Sequence, residues 1–246
     1  MRKAGRIVAE VHDLMRQKVR PGVATATLNR LAEELIRRRN ATPSFKGYPY
    51  TGRNDFPATI CASINDELVH GIPNARRILC EGDIVSIDVG AIYQGYQGDS
   101  AWTYVVGTVD SQIMRLLDVT EGALYAGIAA AHPDHKLRDI SAAIQAHVEE
   151  HGFNVVRNYT GHGIGRAMHE APEILNYVIP DHRDSETLLR PGLTLALEPM
   201  VSAGTWDTRV QPDGWTVVTT DGCLCAHFEH TIAVTEGEAD ILTRLA

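Results

Sequence analysis

Carboxylates stand in segments whose other residues alternate as in buried β-strands. Segments 84–89 and 193–198 are typical of core strands, yet they carry Asp88 and Glu198. Burying an unpaired carboxylate is costly, or forces the group to take up a proton. One such acid alone is explained better by a strand end that faces water. Several together need a compensating positive charge.

A third acid is expected beside Asp88. If Gln94 and Gly95 form a two-residue hairpin turn, Asp88 lies opposite Ala101, and Asp99 lies on the same face one diagonal step away. Diagonal neighbours are about 7–8 Å apart, so two carboxylates there can share one cation. A β-bulge would change this register.

A further acid and two imidazoles lie late in the chain. Glu229 belongs to the β-like segment 226–234, and the glycine-rich segment 161–170 carries His162 and His169. Those glycines let the backbone approach a site closely. The spacing matches neither a zinc-binding helix nor a dinucleotide fingerprint. Taken alone, the glycine-rich segment is more typical of a flexible surface loop.

Taken together, these residues predict a hydrolytic metal centre. Asp88, Asp99, Glu198 and Glu229 carry four formal negative charges, which two divalent cations would balance. Carboxylates with one imidazole suit Mn, Fe, Co or Zn. Two such ions lower the pKa of water enough to supply hydroxide at neutral pH.

Helices and strands must bring these distant residues together. Apolar residues at three- and four-residue steps predict a first helix from Ala4 to Met15 and a second one, capped by Thr27. Two more helices are expected in the second half, over 112–131 and around 140–148. The predicted strands cover 59–64, 84–92 and 101–106, and segment 45–57 is expected to be a loop.

The second half repeats the order of elements in the first. This repetition predicts an α+β fold in which a duplicated unit, with halves of about 1–108 and 109–246, forms one catalytic domain over 1–246 about a pseudo-twofold axis. Chance similarity between short strand patterns is the alternative.

Composition narrows the class of protein. The chain has 246 residues and a net charge of −8, which disfavours binding to nucleic acid or to an anionic membrane. No apolar run is long enough to span a membrane, and the basic start lacks a signal-peptide core. The four cysteines have no paired zinc spacing and are expected to be reduced thiols. We therefore expect a cytoplasmic protein.

Five segments, in this order, resemble the type I methionine aminopeptidases, which have the pita-bread fold, a curved antiparallel sheet covered by helices. They are Asn65–Pro73, the pair Asp88 and Asp99, Gly161–Glu170, Glu198-Pro199-Met200, and Phe228-Glu229-His230-Thr231. The interval from His169 to Glu198 has no room for the helical insert of the type II enzymes.

The resemblance implies roles for individual residues. Two divalent metal ions (Co, Mn, Fe or Zn) would be bound by five side chains: Asp88, Asp99, His162, Glu198 and Glu229. Asp99 and Glu229 would bridge the ions, and Glu198 would also shuttle the proton. His70 and His169 would be catalytic imidazoles that contact the substrate, His70 at the scissile amide and His169 at the developing oxyanion.

The resemblance also implies the reaction, which is hydrolytic removal of the initiator methionine from nascent polypeptides when the second residue is small. The enzyme would act near the ribosome, as a monomer, without binding nucleic acid directly. The methionine side chain would meet an apolar pocket, for which the candidates are Phe45, Tyr48, Cys61, Met168 and Trp215.

Several positions depart from the family's pattern. The loop between Tyr48 and Cys61, around 49–57, is longer than in many members, Met168 stands where an aromatic residue is common, and His227 replaces a frequent glutamine. The chain also begins inside the family's first helix. Two alternatives remain: a proline-specific peptidase of the same fold, which normally carries an additional N-terminal domain, and a non-catalytic peptide-binding module, which would have lost metal ligands.

Overall fold

The computed structural model describes residues 1–49 and 54–245. Four helices lie in these residues: α1 (Arg2–Lys18), α2 (Thr25–Arg38), α3 (Ser111–Ala130) and α4 (Leu137–Glu150). All four helix predictions are confirmed, with ends that differ by a few residues. The predicted cap of the second helix is wrong.

Helix α2 begins at Thr25, two residues before the predicted cap. Its first turn is fixed from outside the helix, because the Thr25 hydroxyl donates to the Asn74 carbonyl at 3.1 Å and accepts from the Asn74 amide at 2.9 Å. Thr27 is therefore an ordinary residue of the first turn. Asp110 caps α3 by accepting from the amides of Gln112 and Ile113.

The described residues form fifteen strands. They are β1 (Thr42–Pro43), β2 (Ile60–Ile64), β3 (Glu67–Val69), β4 (Ile84–Tyr93), β5 (Tyr96–Val105), β6 (Asn154–Val155), β7 (Gly161–Gly163), β8 (Glu170–Ile174), β9 (Thr194–Leu197), β10 (Met200–Ser202), β11 (Thr208–Val210), β12 (Val217–Thr219), β13 (Cys225–His227), β14 (His230–Ala233) and β15 (Asp240–Ile241).

The strands pair antiparallel in four sheets. In one sheet, β4 pairs with β5 along one edge and with both β1 and β2 along the other. Another sheet has the order β15-β14-β9-β7-β8. The two smaller sheets are β13-β10-β6 and β11-β12-β3. The three predicted strands of the first half correspond to β2, β4 and β5.

Two large hydrophobic clusters support these sheets. One joins α1 and α2 to β2 and β4, and the other joins α3 and α4 to β9 and β14. Trp102 of β5 packs against both clusters, so β5 lies where they meet. The pseudo-twofold relation between the two halves stays a prediction.

Helix α1 lies directly against β5. A Cβ atom at Gly98 would lie 2.6 Å from the backbone nitrogen of Gly5, so only glycine permits this approach. Further along α1, the buried His12 contacts the Ser100 carbonyl at 2.9 Å through Nε2 and the Tyr104 hydroxyl at 2.9 Å through Nδ1. These contacts fix the strand that carries Asp99.

Within segment 45–57, residues 45–49 and 54–57 form neither helix nor strand, as predicted, and 50–53 lie outside the described residues. Of the helices that the structure describes, none is both long and apolar enough to traverse a bilayer.

Candidate active site

The β4–β5 hairpin places the first two acids. Gln94 and Gly95 both have positive φ angles, 51° and 78°, as a two-residue hairpin turn requires. The register pairs Asp88 with Ala101 and Gly90 with Asp99, without a bulge. The predicted diagonal relation between Asp88 and Asp99 is therefore present. Asp99 is only 5% exposed.

A row of hydroxyl groups joins β5 to the segment that carries Glu229. The Asp99 amide donates to the Thr231 hydroxyl at 3.0 Å, which in turn donates to the Asp99 carbonyl at 2.7 Å. Beside it, the Ser100 hydroxyl donates to the Glu229 carbonyl at 2.5 Å, and the Glu229 amide donates to the Ala101 carbonyl at 2.8 Å. These hydrogen bonds fix the backbones of Asp99 and Glu229 relative to each other.

The second sheet contributes His162 and Glu198. His162 lies on β7 opposite Ala196 of β9, and Glu198 follows β9 directly. His162 Nδ1 donates to the Gly163 carbonyl at 2.9 Å, which leaves Nε2 with a free lone pair, 3.5 Å from Glu198 Oε1. The Asn176 amide donates to the Glu198 carbonyl at 3.0 Å.

The surface-loop interpretation of the glycine-rich segment is wrong at its start. Gly161, His162 and Gly163 form a buried strand. A Cβ atom at either Gly161 or Gly163 would collide with a backbone carbonyl of the neighbouring strand, so the glycines permit close pairing and not flexibility.

In the cluster of four acids, Asp99 and Glu229 are buried, Asp88 and Glu198 are half-buried, and the negative charge is under-compensated. Burial, and after it the charges of neighbouring acids, raises the pKa of Asp88, Glu198 and Glu229, and burial raises the pKa of Asp99. Among the described residues, only imidazoles lie within ion-pair distance of these acids: His162, and His227 with Nε2 at 3.9 Å from Glu198 Oε2.

Buried oxygen atoms in this cluster have no protein partner in the described chain. They are Asp88 Oδ1, Asp99 Oδ1 and Glu229 Oε1. Ligand atoms of Asp99, His162 and Glu229 lie within 4.8 Å of one another, close enough to share an ion. Oxygen-rich donors with one imidazole fit divalent cations, whose charge would reverse the pKa shifts.

His70 and His169 lie in the same cavity as the acids. His70 has a φ of 61°, a strained conformation for a residue other than glycine and one that recurs at functional sites. Burial lowers the pKa of His70 to about 4, and it lowers the pKa of His162 to about 4, so both rings are neutral at pH 7. His169 is exposed, and its ring meets that of His162 at 4.4 Å between centroids.

One cavity of about 180 Å³ connects the acids to an apolar wall. Its lining includes all five apolar candidates named from the sequence: Phe45, Tyr48, Cys61, Met168 and Trp215. Phe56, which the sequence analysis did not single out, also lines it and packs edge-on against Trp215 at 5.1 Å. Phe56 follows a loop with no periodic pattern, so the sequence held no signal for it beyond its aromatic type.

Other supporting residues were also not predicted. Ser100 follows Asp99 directly and Thr231 is two residues from Glu229, and this proximity in the sequence was the available signal. Asn176 had none, because it is 22 residues from Glu198. His227 lies behind the site, 2% exposed, where Thr103 bonds to both its backbone amide and its carbonyl.

Comparison with known proteins bears on this site directly. The model of the family described as "Metallopeptidase family M24" matches residues 1–236. Methionine aminopeptidase 1 of Bacillus subtilis is 51% identical over 245 residues, covering 100% of this chain and 95% of that protein. The chain belongs to the methionine aminopeptidases of metallopeptidase family M24.

Other relatives agree with this family membership. Methionine aminopeptidase of Escherichia coli K12 is 43% identical over 244 residues, covering 99% of this chain and 89% of the relative. A crystal structure of methionine aminopeptidase from Thermotoga maritima superimposes with a TM-score of 0.94 at 46% identity, covering 100% of this chain and 95% of that one. The family resemblance and the pita-bread fold expected from it are thereby confirmed.

The proline-specific branch shares the fold only. Prolidase from Pyrococcus furiosus superimposes with a TM-score of 0.78 at 22% identity, and this M24 chain spans 63% of its length. The methionine aminopeptidases match over nearly their whole length, so they are the nearer group in both sequence and extent.

Proposed function

We propose that this protein hydrolyses the first peptide bond of polypeptides that begin with methionine, when the second residue is small. The observation that carries the proposal is a single cavity with buried acids and imidazoles along one part and apolar side chains along another. Relatives named methionine aminopeptidase, 43–51% identical over almost the whole chain, support it.

We assign the metal site to the five residues Asp88, Asp99, His162, Glu198 and Glu229, which would hold two divalent ions, and Asp99 and Glu229 would be shared between them. The unpartnered buried carboxylate oxygens and the free Nε2 of His162 support this assignment. Co, Mn, Fe and Zn all suit such donors. When bound, the ions lower the pKa of water and polarise the scissile carbonyl.

We assign the proton transfer between water and the leaving group to Glu198. Its carboxylate accepts the proton of the attacking water and passes it to the nitrogen of the departing amine. The Asn176 side chain donates to the Glu198 carbonyl, and this hydrogen bond fixes the backbone that carries the carboxylate. Glu198 therefore serves as both metal ligand and proton shuttle.

The two further histidines act on the substrate. His70 is neutral at pH 7, so it offers one ring N–H and one lone pair to the scissile amide. His169 donates to the carbonyl oxygen as negative charge develops there, a contribution typically worth about 10²–10³ in rate. The negative cluster attracts a free α-amino group, which restricts cleavage to the first residue.

The methionine side chain is assigned to the apolar wall. The wall presents aromatic faces and polarisable sulfur atoms. Its residues are Phe45, Tyr48, Phe56, Cys61, Met168 and Trp215. Thioether–aromatic contacts are favourable and tolerate an unbranched side chain. The larger part of a methionine side chain can be enclosed in about 180 Å³.

In the cell, we propose that this single catalytic domain acts in the cytoplasm as a monomer on nascent chains close to the ribosome. Its net charge of −8 disfavours direct contact with ribosomal RNA.

The test is peptide hydrolysis by metal-stripped protein that is re-supplied with one ion at a time. We expect cleavage of Met-Ala-Ser and none of an Ala-Pro peptide. Preference for Ala-Pro would identify a proline-specific peptidase. Absence of both hydrolysis and stoichiometric metal would identify a binding module.

His169→Ala separates the catalytic role from a metal-binding role. We expect a lower kcat with unchanged metal stoichiometry, because His169 acts on the substrate. Loss of metal from this variant would make His169 a ligand.

A further inference from the structure

Tyr48 makes a contact that an apolar wall does not need. Its hydroxyl oxygen lies 2.6 Å from Nδ1 of His169, and the two rings meet edge-on at 5.5 Å between centroids and 77° between planes. Both side chains line the cavity that holds the acids.

The length of this hydrogen bond indicates its direction. N–H···O bonds cluster near 2.9–3.0 Å, whereas O–H···O bonds, in which a hydroxyl is the donor, are shorter, at about 2.5–3.0 Å. At 2.6 Å, the contact fits a Tyr48 hydroxyl that donates to the lone pair of Nδ1. A neutral imidazole that accepts at Nδ1 carries its proton on Nε2.

Backbone hydrogen bonds hold Tyr48 in place although it belongs to a loop. Its amide donates to the Phe45 carbonyl at 2.8 Å, and its carbonyl accepts from the Phe56 amide at 3.0 Å. The Gly47 amide donates to the Phe56 carbonyl at 2.8 Å. Its φ of 83° is a backbone conformation that favours glycine. The loop is thus closed at its base, directly beside Tyr48.

We propose that Tyr48 is a positioning residue that fixes His169 in the Nε2–H tautomer, with this N–H available to the carbonyl oxygen of the substrate. The proposal rests on the function proposed above and adds to Tyr48's place in the wall. A partner that orients a metal-binding imidazole is typically worth about 10–100-fold in affinity or activity, and we expect the same scale for an imidazole that contacts the substrate. We place this hydrogen bond at the lower end because His169 is exposed.

The decisive variant is Tyr48→Phe, which keeps the ring and removes the hydroxyl. With Met-Ala-Ser we expect kcat to fall about tenfold and KM to change less than about twofold. Unchanged kcat with a raised KM would reduce Tyr48 to a wall residue and overturn the proposal.

A second readout does not depend on turnover. Long-range ¹H–¹⁵N correlation spectra of the imidazoles report the tautomer, and the His169 signals are assigned by their loss in His169→Gln. We expect the Nε2–H pattern in wild-type protein, both metal-free and zinc-loaded, and a mixed pattern in Tyr48→Phe. An Nδ1–H pattern in the wild type would contradict the proposal.

Phe56→Leu is the matched control, since it alters the same wall without touching the hydrogen bond. It should raise KM and leave the His169 signals unchanged. The double variant Tyr48→Phe/His169→Ala should be no slower than His169→Ala alone, because Tyr48 acts through His169. Additive losses would show an independent role.

The two proposals fail in different ways. If wild-type protein shows the Nε2–H pattern but does not cleave Met-Ala-Ser, the proposed function is wrong and the tautomer assignment stands. If it cleaves the peptide and shows the Nδ1–H pattern, only the positioning role is wrong.

Discussion

The acidic end of the cavity and its apolar wall are held by different means. Asp99 lies on β5 and Glu229 lies between β13 and β14, and hydrogen bonds of Thr231 and Ser100 join the two backbones. The wall residues Tyr48 and Phe56 belong to a loop closed by a few backbone bonds at its base. Like charges need rigid support because they repel one another, whereas an apolar wall can adapt to its ligand.

Asp99→Asn is expected to have the largest effect at the acidic end. It should abolish metal-dependent turnover and lower metal stoichiometry, because it removes a carboxylate that we assign to bridge the metal ions. At pH 8, the metal-free variant should unfold at the same temperature as the metal-free wild type or a higher one, since a costly buried carboxylate is gone. Metal analysis, peptide hydrolysis and calorimetry check this. Asp118→Asn, at an exposed position, is the control and should change neither turnover nor metal stoichiometry. Wild-type turnover by Asp99→Asn would refute the bridging assignment.

Acid should weaken the support behind the acidic end. Burial lowers the pKa of His12 to about 4 from 6.5. Between these values the unfolded chain takes up a proton and the folded one does not, so the free energy of unfolding should fall as pH drops through this range, and level off below it. The full change for this group is about 3 kcal/mol.

Urea unfolding of His12→Gln at pH 7 and pH 4.5 measures that change. The variant should lose less stability than the wild type over this interval. His135→Gln, at an exposed histidine, should match the wild type. Equal pH dependence in all three proteins would show that His12 is not the group responsible.

Thr231→Val removes both hydrogen bonds to the Asp99 backbone. We expect metal affinity to fall about 10–100-fold and the free energy of unfolding to fall by about 1–3 kcal/mol. Titration calorimetry and urea unfolding check this. Thr108→Val, at an exposed site, is the control; if both variants bind metal like the wild type, the row of hydroxyl groups does not position Asp99.

Cys61→Ala should have the smallest effect, confined to the wall. Losing the sulfur should cost about 1 kcal/mol of substrate binding, about fivefold in KM, without changing metal affinity. Cys225→Ala is matched to it, since Cys225 is equally buried but belongs to another hydrophobic cluster. Steady-state kinetics with Met-Ala-Ser distinguish the variants Cys61→Ala and Cys225→Ala. A change in metal affinity for Cys61→Ala would show that the wall and the acids are coupled.

The acidic end was more predictable from the sequence than the wall. Gln94-Gly95 defines a turn, a turn defines a register, and the register put Asp88 and Asp99 on one face. The error at Thr27 arose because Asn74, far along the chain, fixes the start of α2. Phe56 and the Tyr48–His169 bond were beyond prediction, because loop conformation and a contact across 121 residues leave no periodic trace.

The hydrogen bond between Thr231 and Asp99 spans 132 positions of the chain. Contacts of such long range form late, after the cost of closing the intervening loop has been met. A ribosome must therefore release the chain beyond residue 231 before the acids can meet. Metal uptake during synthesis should accordingly mark the completion of folding, and chains that end before residue 229 should acquire no ion.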